Sequence, residues 1–335
     1  MEQPAVGLGT LGLNETATAA VTEAVAAGCR LIDTGEHYGN LNLIGAGLKN
    51  HRDEQPFIIT KLSGLPVGDY GVVRARVEDM LKRLGVTRVH LCLIHWPGLC
   101  TWDPTEASPL ASPADFSDKA STWEQFSENI AEAWQNMRKL QSDGLVGEVG
   151  TSNFYAHHLQ ELALKANGAV PFANEIFINA ENQETQFVAD MQHQGIKVLA
   201  YRPVAYKPFS NGVESVAKRT QQSPQVVSLA WLLKRGVWPL VKCRGEHIQQ
   251  NVNEAALLCD QLTAEDLDLI ARDDVGLKFH AEWFAKLWSA HNTAGTVSED
   301  EVQMLVAMGV EESKAREVLV KCNGNIDEAM DAAFD

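Results

Sequence analysis

A chain of 335 residues, 45% apolar and 21% charged, is long enough for one large domain and a small second one. Its formal net charge of −16 excludes a nucleic acid or an anionic membrane as the partner of its whole surface, and it contains no run of about 18 apolar residues that could span a membrane. The six cysteines are scattered without a C-x-x-C pair, which indicates reduced thiols in a cytoplasmic protein and gives no reason to predict a metal site.

Short apolar runs alternate with amphipathic stretches along most of the chain. The runs predict eight strands, at residues 6–10, 30–33, 57–61, 89–95, 146–152, 171–177, 197–201 and 238–242. The stretches between them include predicted helices at 15–28, 70–85, 123–144 and 224–236, each ending at a glycine. Such alternation implies parallel strands. Eight strands in about 250 residues favour a closed (β/α)8 barrel, a TIM barrel, with an open doubly wound sheet as the alternative.

Two segments interrupt this alternation. Residues 97–122 are rich in Pro, Ser and Asp, and a loop of that length after a strand end is usually functional or disordered. Residues 289–297 are small and polar, which is typical of a linker. We therefore predict a barrel domain at 1–288, a linker at 289–297 and a small three-helix domain at 298–335.

The N-terminus contains a glycine pattern that suggests a different fold. Gly7, Gly9 and Gly12 spell G-x-G-x-x-G, and Asp33 follows about twenty residues later, as in a Rossmann dinucleotide fingerprint. That fingerprint needs a full strand before its first glycine, and only six residues precede Gly7. We interpret the pattern as a strand end and a turn, and we keep Asp33 for another role.

Four polar residues lie where the predicted strands end. Asp33 ends the second strand, Tyr38 follows five residues later, Lys61 ends the third strand and His95 ends the fourth. All strand carboxyl ends of a barrel open to one mouth, so these side chains are expected to meet there. Each has an ordinary explanation when taken alone, such as a helix cap or a packed ring. Together, at successive strand ends, they indicate an active site.

One reaction that such a set can support is the reduction of a carbonyl group. Hydride arriving at carbon leaves negative charge on oxygen, which a proton and hydrogen-bond donors must meet. A free tyrosine, with a pKa of about 10, is a poor acid at neutral pH, and a nearby ammonium group lowers that pKa. We therefore expect Lys61 to lower the pKa of Tyr38, Asp33 to keep Lys61 charged, and His95 to bind the carbonyl oxygen.

The segments GLGT, AGCRLIDTGEHYGN, IITKL, LCLIHWP and GEVGTSNF resemble, in order and spacing over residues 6–270, the characteristic blocks of the aldo-keto reductases. The resemblance implies a (β/α)8 barrel that binds NADPH without a Rossmann fold and reduces aldehydes or ketones to alcohols. It also implies that Tyr38 is the general acid, that Asp33, Lys61 and His95 assist it, and that Tyr38, His95 and Trp96 contact the carbonyl substrate.

The same resemblance implies a set of cofactor-binding residues. At the nicotinamide end they are Asp33, Ser152, Asn153, Glu175 and Tyr201, with Glu175 standing where the family usually has Gln. At the adenosine end they are Lys242, Cys243, Arg244, His247, Gln250 and Asn251. Cys243 and His247 replace the Ser and Arg of the family pattern, while Lys242 and Arg244 can still contact a 2'-phosphate. We therefore expect NADPH in preference to NADH.

The last 38 residues follow a helical pattern of their own, with ten acidic and three basic residues. Three short amphipathic helices, the Met308-Gly309-Val310 turn and the Gly324-Asn325-x-x-x-Ala329 spacing resemble a ubiquitin-associated (UBA) domain. The resemblance implies weak ubiquitin binding through Met308, Gly309 and Val310. The alternative is a helical tail that packs on the barrel or mediates self-association.

Two functions from different classes remain open at this point. The first is an NADPH-dependent reductase, which the complete set of Asp33, Tyr38, Lys61 and His95 favours. The second is a non-catalytic, NADPH-binding scaffold or sensor that acts through ubiquitin recognition by the tail. A barrel without catalytic duty could lose members of the set, and none is missing.

Overall fold

The computed structural model describes residues 5–51, 55–98, 123–204, 208–276, 302, 306 and 310–321. The chain divides into two compact units, one of Met1–Ala111 with Ser127–Phe279 and one of Ser112–Phe126 with His280–Asp335. The predicted linker at 289–297 and most of the 97–122 loop lie outside the described residues. Their boundaries and roles stay predictions.

The first unit contains a closed barrel of eight strands in sequential order. The strands are β1 (Gly7–Gly9), β2 (Leu31–Asp33), β3 (Phe57–Leu62), β4 (Val89–Ile94), β5 (Val146–Ser152), β6 (Ala173–Phe177), β7 (Lys197–Tyr201) and β8 (Val237–Val241). Every neighbouring pair is parallel, and β1 pairs with β8 to close the barrel. The predicted (β/α)8 barrel is therefore confirmed, and the open sheet is excluded.

Helices follow the strands in sequence. Those described are α1 (Ala17–Ala26), α2 (Leu41–Leu48), α3 (Tyr70–Leu84), α4 (Trp123–Ser142), α5 (Ala156–Lys165), α6 (Thr185–His193), α7 (Asn211–Thr220), α8 (Pro224–Lys234), α9 (Glu246–Gln249), α10 (Ala255–Gln261) and α11 (Ala264–Ala271). The four glycines predicted to end helices all adopt the left-handed conformation, with φ of 93° at Gly28, 70° at Gly85, 77° at Gly144 and 73° at Gly236. Within the described part of the chain, every helix is too short or too polar to cross a membrane.

Alternate residues of the strands fill the interior of the barrel. The buried side chains that pack together there are Leu31, Ile59, Leu91, Leu93, Ala173, Leu199, Trp238 and Leu240. They form an apolar floor, so the barrel is a packed core rather than a channel.

The N-terminal glycine pattern belongs to this barrel rather than to a dinucleotide fingerprint. Gly7 and Gly9 form β1, and a Cβ atom at Gly7 would lie 2.8 Å from the side chains of both Leu31 and Leu240. Gly12 follows in a turn with φ of 70°. As predicted, the pattern is a strand and a turn, and Gly7 leaves the space that larger interior side chains occupy.

In the second unit, the structure describes a helix, α12 (Glu312–Lys321), and a few neighbouring residues. Ala315, Val318 and Leu319 are buried on one side of this helix, as the sequence pattern predicted. Met308 and Gly309 lie outside the described residues. Val310 is only 6% exposed, which makes its side chain part of the interior rather than an open contact surface.

Candidate active site at the barrel mouth

Polar side chains form the layer directly above the apolar floor. Each lies two residues after an inward-facing apolar residue of its strand, so the alternation of the strand points it into the same interior. The pairs are Leu31 and Asp33, Ile59 and Lys61, Leu93 and His95, Ala173 and Glu175, and Leu199 and Tyr201. The mouth of the barrel therefore gathers these polar groups at one level.

Lys61 lies at the centre of this layer and is completely buried. Its Nζ atom forms a hydrogen-bonded ion pair with Asp33 Oδ1 and lies 3.3 Å from the backbone oxygen of Thr34. It also lies 3.0 Å from Glu175 Oε2 across the barrel, as an ion pair that lacks the alignment of a hydrogen bond. Because the ammonium group has two carboxylates and a carbonyl oxygen around it, its burial is compensated.

Tyr38 presents its hydroxyl group to Lys61. Lys61 Nζ donates a hydrogen bond to Tyr38 Oη at 3.3 Å, and the ring lies under the ammonium group at 5.3 Å. The tyrosine ends a short 3-10 helix, Glu36–Tyr38, and the next residues hold the loop in place. Asn40 Nδ2 donates to the backbone oxygen of Thr10 at 2.8 Å, which fastens this loop to the end of β1.

A partly buried ion pair fixes the other side of the tyrosine loop. Arg76 of α3 donates to both carboxylate oxygens of Glu36, at 2.8 and 2.7 Å. Ser63, two residues after Lys61, donates its backbone N–H to Glu36 at 3.1 Å, and its carbonyl accepts from Arg76 at 3.3 Å. Glu36, two residues before Tyr38, and Ser63, two residues after Lys61, are thereby tied to each other, which fixes the distance between the hydroxyl and ammonium groups.

The pKa of Tyr38 reflects opposite effects of burial and of Lys61. Burial raises its pKa above the usual value, and the carboxylates of Asp33 and Glu175 act in the same direction. Lys61 lowers the pKa as expected, but its effect is the smaller one. The predicted effect of Lys61 is therefore present, but burial outweighs it, and the sequence does not show how completely the ring is buried. Tyr38 is protonated at neutral pH.

The two carboxyl groups beside Lys61 influence each other. Burial raises the pKa of Glu175 to about 8, with Asp33 acting in the same direction and Lys61 opposing. Burial also raises the pKa of Asp33, again against Lys61. For Lys61, burial lowers the pKa, but Asp33 and Glu175 outweigh it and raise the pKa above its usual value. The lysine is thus charged at every physiological pH.

His95 follows β4 immediately and completes the wall beside Tyr38. The two ring centroids lie 6.0 Å apart in an edge-to-face arrangement, and Trp96 stacks on His95 at 5.8 Å. Burial lowers the pKa of His95 well below its usual value, and the positive charge of Lys61 adds to this effect. The imidazole is therefore neutral, and its buried Nδ1 has no hydrogen-bond partner among the described residues.

The ends of β5 and β7 supply the amide and hydroxyl groups of the mouth. Ser152 Oγ donates to the backbone oxygen of Glu175 at 2.9 Å, and Asn153 Nδ2 donates to that of His95 at 2.9 Å. Tyr201 Oη donates to Asn153 Oδ1 at 2.9 Å. Asn153 adopts a left-handed backbone conformation, with φ of 60°, which asparagine tolerates better than most residues. These predicted nicotinamide-end residues therefore form one hydrogen-bonded group.

Comparison with protein families decides the relationship. Residues 5–272, more than half of the chain, match the model of the aldo/keto reductase family. The chain belongs to this family. Residues 297–331 match the model of the UBA/TS-N domain. Both matches confirm the resemblances in the sequence.

Relatives of this aldo/keto reductase include enzymes named for several carbonyl substrates. It is 29% identical to a glyoxal reductase of Bacillus subtilis over 276 residues, which cover 81% of this chain and 88% of the relative. It is 27% identical to an NAD(P)H-dependent D-xylose reductase of Candida tenuis, covering 84% and 92% of the two chains. These relatives identify the reductase as an oxidoreductase.

Solved structures agree with the barrel. The aldose reductase of Schistosoma japonicum has a TM-score of 0.70 at 26% identity, covering 84% of this reductase and 92% of that chain. An aldo-keto reductase of Bombyx mori in complex with NADP has a TM-score of 0.68 at 26% identity, covering 84% and 93%.

The predicted adenosine-end residues of the reductase lie together in the segment that follows β8. Lys242 is exposed, and its Nζ atom would be 3.5 Å from a Cβ atom at Gly12, so the ammonium group lies beside the β1–α1 turn. Arg244 is exposed. The remaining members pair with each other. Cys243 forms a hydrogen bond with the side chain of Asn251, and burial raises the pKa of the Cys243 thiol to about 11. His247 Nδ1 lies 3.4 Å from Gln250 Oε1.

Two features of the site were not predicted from the sequence. Glu175 was predicted only as a cofactor ligand, whereas in the structure it also contacts Lys61. Its position two residues after an inward-facing alanine is a signal that could have placed it in the polar layer. Glu36 and Arg76, which fix the tyrosine loop, gave no sequence signal, because their contact depends on how α3 packs against the barrel.

Proposed function

We propose that this chain is an NADPH-dependent reductase of aldehydes or ketones, with Tyr38 as the general acid. One observation carries the proposal: the hydroxyl group of Tyr38 lies 3.3 Å from the ammonium group of Lys61 at the mouth of the barrel, and Asp33 holds that ammonium group. Protonated at neutral pH, Tyr38 has a proton to give, and Lys61 stabilises the phenolate that remains.

The residues of the mouth fit a nicotinamide cofactor. Glu175 has a buried carboxylate oxygen without a hydrogen bond to any described residue, and it can accept from the carboxamide NH2 group. Ser152 and Asn153 supply hydroxyl and amide groups beside it, and Tyr201 supplies an aromatic ring. Their chemistry suits a group that is planar, partly aromatic and edged by an amide.

Each residue of the set has a defined task in the reaction. When bound, the cofactor supplies the hydride. Tyr38 gives its proton to the carbonyl oxygen, because negative charge develops there as the hydride arrives. His95, neutral in this environment, donates an N–H to the same oxygen and orients it. Trp96, stacked on His95, contributes an apolar wall for the substrate.

The preference for NADPH over NADH rests on the segment after β8. A 2'-phosphate carries up to two negative charges, and an exposed ammonium or guanidinium group binds it favourably. Lys242 beside the β1–α1 turn and Arg244 are the candidates for this contact. His247, Gln250, Asn251 and Cys243 would line the adenosine.

The test is reduction of a panel of aldehydes and ketones by the purified chain, monitored by the loss of NADPH absorbance. Turnover with NADPH exceeding that with NADH is the expected result. The absence of turnover with every aldehyde and ketone, while NADPH still binds, would instead support the non-catalytic scaffold or sensor.

We also propose that the C-terminal region binds ubiquitin, because residues 297–331 match the UBA/TS-N domain model. Isotope-labelled ubiquitin titrated with the full chain should show localised NMR shifts at sub-millimolar concentrations. Met308→Asp should abolish them, since a charge replaces an apolar contact group. Unmoved resonances with the unsubstituted chain would favour a tail used for packing or self-association.

A further inference from the structure

The polar layer of the barrel holds two buried carboxyl groups and a single buried ammonium group. Glu175 Oε2 lies 3.0 Å from Lys61 Nζ on one side, while Asp33 holds the same nitrogen on the other. The side chains of Glu175 and Asp33 are 3% and 6% exposed, so solvent screens their charges weakly. With both carboxylates ionised, the group carries one uncompensated negative charge.

The titratable groups around Glu175 come from several elements. Asp33 faces it from β2, Lys61 from β3, Tyr38 from the loop after β2, and Tyr201 from β7. Asp33 and burial both oppose the ionisation of Glu175, and Lys61 favours it. The balance raises the pKa of Glu175 to about 8. Below that pH Glu175 is largely protonated, and Asp33 and Lys61 balance each other. Above it Glu175 is ionised, and the cluster carries a buried negative charge.

We propose that Glu175 makes this site discriminate between the two oxidation states of its cofactor. As a carboxylate it favours the oxidised nicotinamide ring, which is cationic, over the reduced ring, which is neutral; protonated, it loses that preference. This inference rests on the proposed function, since it requires the nicotinamide to bind at the barrel mouth. The Oε2 atom of Glu175, which is ion-paired with Lys61 but accepts no hydrogen bond from any described residue, is the group that would meet the ring or its carboxamide.

Because cofactor binding and the ionisation of Glu175 are thermodynamically linked, the proposal predicts two measurable quantities. They are the number of protons released on binding and the pH dependence of the ratio of cofactor Kd values. If the oxidised cofactor binds the ionised carboxylate preferentially, it must lower the pKa of Glu175 and release protons on binding near neutral pH. The reduced cofactor should release fewer. The ratio of the Kd for NADPH to the Kd for NADP+ should therefore rise with pH, by about tenfold for each unit by which the two bound forms differ in the pKa of Glu175.

Calorimetric titration of the full chain tests this without any turnover. The Kd values for NADPH and NADP+ are measured at about pH 6.5 and about pH 9, on either side of the pKa of Glu175. Both cofactors share the 2'-phosphate and the adenosine, so titration of those groups cancels in the ratio. Repeating the NADP+ titration in two buffers of different ionisation enthalpy gives the number of protons released.

Glu175→Gln removes the charge while keeping the shape of the side chain. Its Kd ratio should be independent of pH and should match the ratio of the unsubstituted chain at low pH. Glu214→Gln is the matched control, because Glu214 lies on the exposed side of α7, 4.0 Å from Lys218. Its Kd ratio should rise with pH as in the unsubstituted chain.

The outcomes separate this inference from the proposed function. A Kd ratio that is flat in the unsubstituted chain, with no proton release beyond that seen with NADPH, overturns the role of Glu175 even if the enzyme is active. Equal pH dependence in Glu175→Gln overturns it too. Failure of both cofactors to bind would instead overturn the proposed function. If Glu175→Gln does not fold, the proposal is still tested by comparing the protons that the unsubstituted chain releases on binding NADP+ and on binding NADPH.

Discussion

The ammonium group of Lys61 contacts Asp33, Glu175 and Tyr38 at once. The pairing of Lys61 with Asp33 and Tyr38 was predictable, because all three residues lie at or shortly after the carboxyl ends of two successive strands. The net direction of the Tyr38 pKa and the contact with Glu175 were not. Both depend on burial depth and on distances across the barrel, which strand periodicity does not contain.

At the residue scale, replacing Lys61 should destabilise the fold through the carboxylates that remain. Lys61→Met leaves Asp33 and Glu175 buried without an opposite charge, which should lower the free energy of unfolding by about 3–5 kcal/mol. The pKa of Glu175, already about 8, should rise further. A group with a raised folded-state pKa stabilises the fold most at low pH, so the deficit should grow as pH rises from about 5 to about 9.

Urea unfolding at both pH values measures this deficit. Lys197→Met is a suitable control, because Lys197 at the start of β7 is only partly buried and lies 4.6 Å above the Phe172 ring. The double variant Asp33→Asn, Lys61→Met should recover part of the lost stability. A deficit that does not change with pH would show that packing, rather than unpaired charge, accounts for the loss.

At the scale of elements, the strands and glycine-ended helices were predictable because burial inside a barrel leaves a local trace. β5 and β7 begin and end at the predicted residues, since their buried runs are bounded by polar or glycine-containing segments. The tyrosine loop was not predictable in the same way. Its conformation depends on the Glu36–Arg76 pair, which joins a loop after β2 to α3 and has no periodic signature.

Removing this pair should impair catalysis at a distance from the reacting atoms. Arg76→Met leaves Glu36, whose side chain is 3% exposed, without its charged partner. We expect the free energy of unfolding to fall by about 3 kcal/mol and kcat to fall by about tenfold, because Tyr38 loses its fixed distance to Lys61. The Kd for NADPH should change little.

Arg74→Met provides the matched comparison on the same helix. Arg74 forms exposed ion pairs with Glu78 and Asp143, and such pairs contribute little to stability. Its removal should leave unfolding and kcat nearly unchanged. Equal effects of the two substitutions would mean that the Glu36–Arg76 pair does not position Tyr38.

At the scale of the whole molecule, a barrel of one family and a C-terminal UBA/TS-N match occur in one chain. Both were recognisable in the sequence because each has short, specific blocks. The proposed ubiquitin contact of the tail is harder to predict from the sequence: Val310, expected to contact ubiquitin, is buried. An apolar residue in a turn gives the same sequence pattern whether its side chain contacts a partner or is buried within the protein.

Deleting residues 296–335 tests whether the two activities are separable. The truncated chain should keep its kcat and KM for aldehydes, because every residue assigned to the reaction lies within the barrel. It should no longer shift the NMR resonances of labelled ubiquitin. Loss of aldehyde reduction on deletion would mean that the tail supports the catalytic barrel.

Tyr38→Phe tests the central claim most directly, because it removes one hydroxyl group and keeps the ring. The measurement is single-turnover oxidation of bound NADPH by an aldehyde, together with the Kd for NADPH. General acid catalysis predicts a rate lower by about 10²–10⁴-fold, with the Kd for NADPH unchanged. A rate within a few-fold of the unsubstituted chain would contradict the assignment of Tyr38 as the proton donor.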